Sequence, residues 1–120
     1  MSSKHFMNDR EFEARIVQLI LSGESQKALE ALSKSYGVET PKLRVGAVKG
    51  RVKSPAVYVA RSKTIHVSNA DGLSNPRLIL HEFYHHLRTI DEKHRGTEKH
   101  ADRFAEHYVR SYIERGRSTQ

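Results

Sequence analysis

Asn75-Pro76-Arg77-Leu78-Ile79-Leu80-His81-Glu82-Phe83-Tyr84-His85-His86-Leu87-Arg88-Thr89-Ile90 is the stretch on which the reading of this chain turns. Asn75 stands where an N-cap belongs, and Pro76 occupies the first helical position, where its missing N–H costs nothing. At roughly 100° per residue, Ile79, Phe83, Leu87 and Ile90 fall in one stripe, with His81 and His85 roughly opposite. The spacing predicts a helix to about Ile90 that buries its back and presents a histidine face. Two histidines four apart on a helix lie about 6 Å apart along its axis, so their imidazoles can converge on one tetrahedral ion. Glu82, between them, projects beside that ion and is placed to act as general base and then acid. A chain of this composition holds roughly 0.04 such pentads by chance, which disfavours the plain reading of exposed polar positions on an amphipathic helix. Tyr84 and His86 read as packing residues or as outer hydrogen-bond partners of the site.

Six of the eight histidines lie between His81 and His107. A catalytic zinc ion takes three protein ligands and keeps one position for water, so a third donor is needed from His94, Glu98, His100 or Asp102. Thr97 is read as the cap of a fourth helix bearing Ala101, Phe104, Ala105, Tyr108, Val109 and Tyr112 on one face, with Gly116 as its end and a polar, frayed tail beyond. Glu98 falls about 50° from the centre of that face and His100 about 110° away, so Glu98 is the better aimed. Asp102, one turn on, is placed to accept a hydrogen bond from the outer nitrogen of His81 or His85.

Upstream, Phe12, Ile16, Leu19 and Ile20 recur at helical spacing from Asp9 until Gly23. Ala28, Leu29, Ala31 and Leu32 mark a second helix over 25–36, with Ser25 as its candidate cap and Gly37 as its stop. Alternation then replaces the helical period: Leu43, Val45 and Val48, then Val57 and Val59, then Ile65 and Val67. Short connections favour an antiparallel meander. Asn69-Ala70-Asp71-Gly72 is a turn cluster. The expected fold class is α+β: two N-terminal helices, a small, mainly antiparallel three-stranded sheet, then the two helices bearing the metal site.

The chain has 120 residues, which fit one domain (1–120, with 1–8 and 116–120 as flexible ends), and 37% of them are hydrophobic, which predicts a thin core. It contains no cysteine, which removes disulfides and thiolate metal sites and leaves a cytoplasmic location as the expectation. Met1 to Asn8 lacks the apolar stretch of a signal peptide, and no apolar run reaches membrane-spanning length. Lys and Arg number 21 against 14 Asp and Glu, a net charge of +7. Lys42, Arg44, Lys49, Arg51 and Lys53 concentrate part of that charge in the strand region. They read first as a solvated face that guards against strand aggregation, and second as phosphate contacts, although no aromatic residues interleave them for stacking on bases.

The run from Leu80 to Arg88, followed by Thr97-Glu98-Lys99-His100-Ala101-Asp102-Arg103-Phe104-Ala105, resembles the archaeal minigluzincins, small HExxH metallopeptidases. It is more distantly similar to the ImmA/IrrE-type peptidases, which share a Glu-x-Glu-Ala-(Asp/Asn)-x-Phe-Ala segment. The resemblance covers roughly residues 56 to 110. It implies a zinc-dependent peptidase acting on peptide or protein substrates, with an edge strand above the cleft and a glutamate-bearing helix that supplies the third ligand. Relatives commonly carry a second Glu where this chain has His100, whereas Glu98 with Asp102 keeps the gluzincin spacing; the expected ligands are His81, His85 and Glu98, with Glu82 catalytic. The strand around 64–67 would form the rim, and Tyr108, Tyr112, His94, Arg95 or His107 would supply an oxyanion donor. The polar tail after Gly116 suggests a cover that holds the enzyme latent. The competing expectation is a non-catalytic, zinc-stabilised regulator that binds nucleic acid through the basic strands.

Overall fold

The order of elements follows the apolar periods closely. In a computed structural model that describes residues 9–46, 54–91 and 98–118, α1 spans Asp9–Leu21 and α2 Ser25–Tyr36. The strands β1 (Lys42–Val45), β2 (Ala56–Val59) and β3 (Thr64–Val67) come next, and a 3-10 segment (Ala70–Ser74) leads into α3 (Pro76–Asp91) and α4 (Glu98–Ser118). The expected α+β class is the observed one. Residues 1–8, Val48, Lys49, Arg51, Lys53, His94, Arg95 and Thr97 lie outside the described residues, and so do 119 and 120.

α1 packs along α4 and against α2, and α4 in turn packs along α3. Ile16, Val17 and Ile20 of α1, Leu29 and Leu32 of α2, Ile79, Leu80, Phe83 and Leu87 of α3, and Ala105, Tyr108 and Val109 of α4 meet in one core. Ile65 and Val67 of β3 complete it from the sheet side. At about 25 cal/mol per Å² of apolar area removed from water, burial of this kind is the main stabilising term in so small a domain. The polar exception along α1 is Glu13, which is buried; its carboxylate accepts from the Ser111 hydroxyl at 2.5 Å and pairs with His107 at 3.1 Å.

Local signals at the helix ends are partly as expected. Asn75 caps α3, its side-chain oxygen accepting from the Leu78 N–H at 3.2 Å. Gly37 ends α2 in the left-handed region (φ 71°), and the next N–H, of Val38, returns to the Ser33 carbonyl at 2.9 Å. Ser25 is not a cap. It is buried as the first residue of α2, and its hydroxyl donates to the Leu73 carbonyl, tethering the helix to the 3-10 segment. α4 also passes through the expected stop at Gly116 and continues to Ser118. Arg115 and Arg117 in its last turn favour this continuation by opposing the negative end of the helix dipole, and Arg115 pairs with Glu11 of α1. The segment expected to be a frayed cover is therefore helical as far as Ser118.

The sheet departs from a meander. Its order is β1-β3-β2, with β1 parallel to β3 (Lys42 opposite Thr64) and β2 antiparallel to β3 (Ala56 opposite Val67). β2 and β3 close locally through a turn in which the Lys63 N–H bonds the Ala60 carbonyl at 3.2 Å and Lys63 takes the left-handed region (φ 51°). The stretch between β1 and β2 covers residues 46–55, long enough for β2 to lie on the far side of β3. The strand expected at the rim, 64–67, is consequently the central one. Its side chains Thr64, Ile65 and Val67 are buried, and the edges belong to β1 and β2.

Gly72 marks the closest approach between the 3-10 segment and the sheet. A Cβ there would stand 2.8 Å from Val67 Cβ and 3.3 Å from Leu78 Cδ2. Gly72→Ala is expected to destabilise the fold by about 1–3 kcal/mol, the usual effect of overpacking, measurable as a lowered urea midpoint with an unchanged slope.

Candidate metal centre

α3 exists as a helix because its apolar residues anchor it from behind, and that anchoring decides which side chains face outward. Ile79, Phe83 and Leu87 are fully buried, as the stripe predicts, while Ile90 is half-buried. Leu80, Tyr84 and His86 are buried too, Tyr84 against Phe104 of α4 with ring centroids 5.4 Å apart. His81 and His85 keep side-chain exposures of 16% and 20% on the face between α4 and β2. Opposite them Glu98, in the first turn of α4, is 75% exposed.

The imidazoles and this carboxylate converge. His81 Nε2 lies 2.7 Å from Glu98 Oε1, His85 Nε2 lies 2.9 Å from Glu98 Oε2, and the two Nε2 atoms are 3.3 Å apart. Ligands at about 2.0–2.1 Å from a tetrahedral zinc ion stand about 3.3 Å from one another, which matches the nitrogen pair directly. His81, His85 and Glu98 are the residues among those described whose ligand atoms gather this way. His100, two residues beyond Glu98, is not in the group. Nor is Asp102, which stands behind it: its carboxylate lies 2.7 Å from His81 Nδ1, the outer contact expected of it.

The chemistry of this donor set suits a bound cation or a shared proton. With the Asp102 carboxylate accepting the Nδ1–H of His81, a neutral His81 presents an unprotonated Nε2. That lone pair points at a carboxylate oxygen and at a second imidazole nitrogen. Three acceptors within 3.3 Å repel unless a proton or a metal ion sits among them. Asp102→Asn is expected to weaken zinc binding about 10- to 100-fold with little change in fold, read by competition with a chromophoric chelator.

The charges respond accordingly. Burial alone would lower the pKa of His81, but the carboxylates of Glu82, Glu98 and Asp102 outweigh it and hold His81 above the usual imidazole range. His85 is held below that range, chiefly by burial, which favours the neutral form that can bind a metal. Glu82 is buried beside the pair. Desolvation pushes its carboxyl up to about 7, against the pull of His81 and a hydrogen bond donated by the Tyr58 backbone N–H. A cation bound by its neighbours would draw that value back down.

His86 is fully buried and bonded at both ring nitrogens: Nε2 to the Glu39 carbonyl at 2.8 Å, and Nδ1 to the Tyr58 hydroxyl at 2.7 Å. Burial lowers its pKa from 6.5. Above that value both folded and unfolded chains hold it neutral and its link contributes fully. As pH falls, the unfolded chain takes up a proton the native one resists, so stability decreases by up to about 1.4 kcal/mol per pH unit. Urea midpoints at pH 7.5 and 5.5 should therefore diverge more for the native sequence than for His86→Phe.

The expected oxyanion donors are dispersed. Tyr108 is buried and bonded to Tyr36 at 2.9 Å, burial raising both phenols; His107 faces Glu13; and Tyr112 lines a groove of about 430 Å³ between α1 and α4. Tyr58, by contrast, carries no sequence signal, yet its main chain lies beside Glu82 and its hydroxyl bonds His86 on the same helix. No known protein family, curated protein or solved structure was found to match the chain.

Proposed function

We propose that the chain is a zinc-dependent metallopeptidase of the minigluzincin type, with His81, His85 and Glu98 as ligands and Glu82 as general base and acid. The observation that carries this reading is the meeting of three lone-pair donors, two on one helix and one on the next, with Asp102 behind His81 and a buried glutamate beside them. Zinc, when bound, would polarise a scissile carbonyl and acidify water. Glu82, raised toward neutrality, suits the transfer of a proton from that water to a leaving amine. β2, an edge strand packed against α3, offers main-chain groups to an extended peptide, the role first expected of residues 64–67.

A closed structural zinc site would need a fourth ligand; His100 is not in the convergent group, and His94 lies outside the described residues. Lys42 and Arg44, the described part of the basic segment, are exposed on β1, the edge opposite β2. These observations favour hydrolysis over the nucleic-acid regulator. No helix among the described residues is long and apolar enough to cross a membrane.

The reading is tested by incubating zinc-loaded protein with a diverse mixture of unstructured peptides and following new amino termini. Turnover that chelation removes and zinc restores is the expected result. A preparation with one zinc per chain that cleaves nothing in the mixture would overturn it.

A further inference from the structure

The second histidine of the His85-His86 pair faces away from the metal ligands, toward β2. In the β2–β3 ladder the Ser68 N–H bonds the Pro55 carbonyl at 2.9 Å. Because antiparallel pairs alternate, Val57 and Val59 turn their main-chain groups toward β3, and Ala56 and Tyr58 turn theirs to the open edge. The Tyr58 N–H at that edge lies near enough to the Glu82 carboxylate to favour its charged form. The side chain of the same residue reaches α3 one turn further on, where its hydroxyl meets His86 Nδ1 at 2.7 Å, the two rings edge to face with centroids 5.4 Å apart.

The direction of these bonds follows from elementary chemistry. The Glu39 carbonyl can only accept, so His86 Nε2 carries the proton. His86 Nδ1 is then an acceptor, and the Tyr58 hydroxyl must donate to it. Lys63, paired with the Glu39 carboxylate at 2.8 Å, ties the β2–β3 turn to the same segment. Glu82 and His86 are four apart and about 40° apart around the helix, so both face the strand. One residue of β2 thus faces one turn of α3 at two points, its hydroxyl bonded to His86 and its main-chain N–H beside the carboxylate assigned to proton transfer.

We propose that Tyr58 and His86 are positioning residues: their buried link fixes the edge of β2 against α3 so that the Tyr58 N–H holds the Glu82 carboxylate in its working orientation. Neither touches the ligand atoms. The catalytic consequence rests on the peptidase reading; the geometric one does not. An extended strand alone could slide along α3 and release Glu82 to rotate, whereas two attachments on one residue remove that freedom.

Tyr58→Phe removes a single oxygen and tests the link. In the zinc-loaded protein the amide at position 58 should exchange with solvent at least about tenfold faster, while the amides of Ile16 and Val17 in α1 keep their protection. Zinc affinity should stay within about twofold, and kcat should fall about 10- to 100-fold with KM nearly constant. Glu82→Ala, which cuts the other end while leaving Tyr58 and His86 intact, should expose the same amide. Unchanged exchange at position 58 in both variants would overturn the proposal, as would a rise in KM at constant kcat, which would assign Tyr58 to peptide binding. If the native protein hydrolyses no peptide, the peptidase reading falls, and the exchange rates still decide whether this link holds Glu82.

Discussion

Glu82→Gln is expected to keep its zinc and lose its hydrolysis. The amide preserves the size of the carboxylate and can still accept from the Tyr58 N–H, so the local packing of a buried side chain is retained. The proposed ligand atoms belong to His81, His85 and Glu98, so metal affinity should change by no more than about twofold. What disappears is a group that takes and returns a proton near neutral pH, an effect of about 10²–10⁴ in kcat. Parallel measurement of zinc content and peptide turnover separates the two roles. A variant that turned over peptides as fast as the native protein would show that Glu82 is not the base.

The second large effect concerns the proposed ligand on α4. Glu98→Ala removes the carboxylate that faces both imidazoles at 2.7 and 2.9 Å, and leaves two histidines with no third donor. Zinc affinity should drop further than the roughly 10- to 100-fold produced by losing an outer partner such as Asp102, and the gain in melting temperature on adding zinc should vanish. His100→Ala should bind zinc as the native protein does. The reverse pattern, with zinc lost on replacing His100 and kept on replacing Glu98, would move the third ligand.

Much of this site is legible in the residues because helices impose a period on a single strand of text. Asn75 and Pro76 announce the start of α3, the spacing of Ile79, Phe83 and Leu87 shows its buried side, and the histidine face follows by difference. The same angular reasoning brings Glu98 inward on α4 and leaves Asp102 one turn behind it, where His81 Nδ1 meets it at 2.7 Å. Sheets give no such guide. Alternation in 43–45, 57–59 and 65–67 tells which side chains share a face but not which strand lies beside which, so the parallel pairing of β1 with β3 and the edge position of β2 are not readable from the pattern. Ser25 has the residue type of a cap, but tertiary contact with Leu73 claims its hydroxyl. Tyr58 is invisible for a further reason: half of its contribution comes from a backbone N–H, which every residue but proline possesses, and its use depends on the strand order.

Direct titration of chelator-stripped protein with zinc, followed by calorimetry at neutral pH, tests the convergence of His81, His85 and Glu98 most closely. One zinc per chain at submicromolar dissociation constant, with protons released on binding, is the expected result. Protein that stays folded yet takes up no zinc at micromolar concentrations would contradict it.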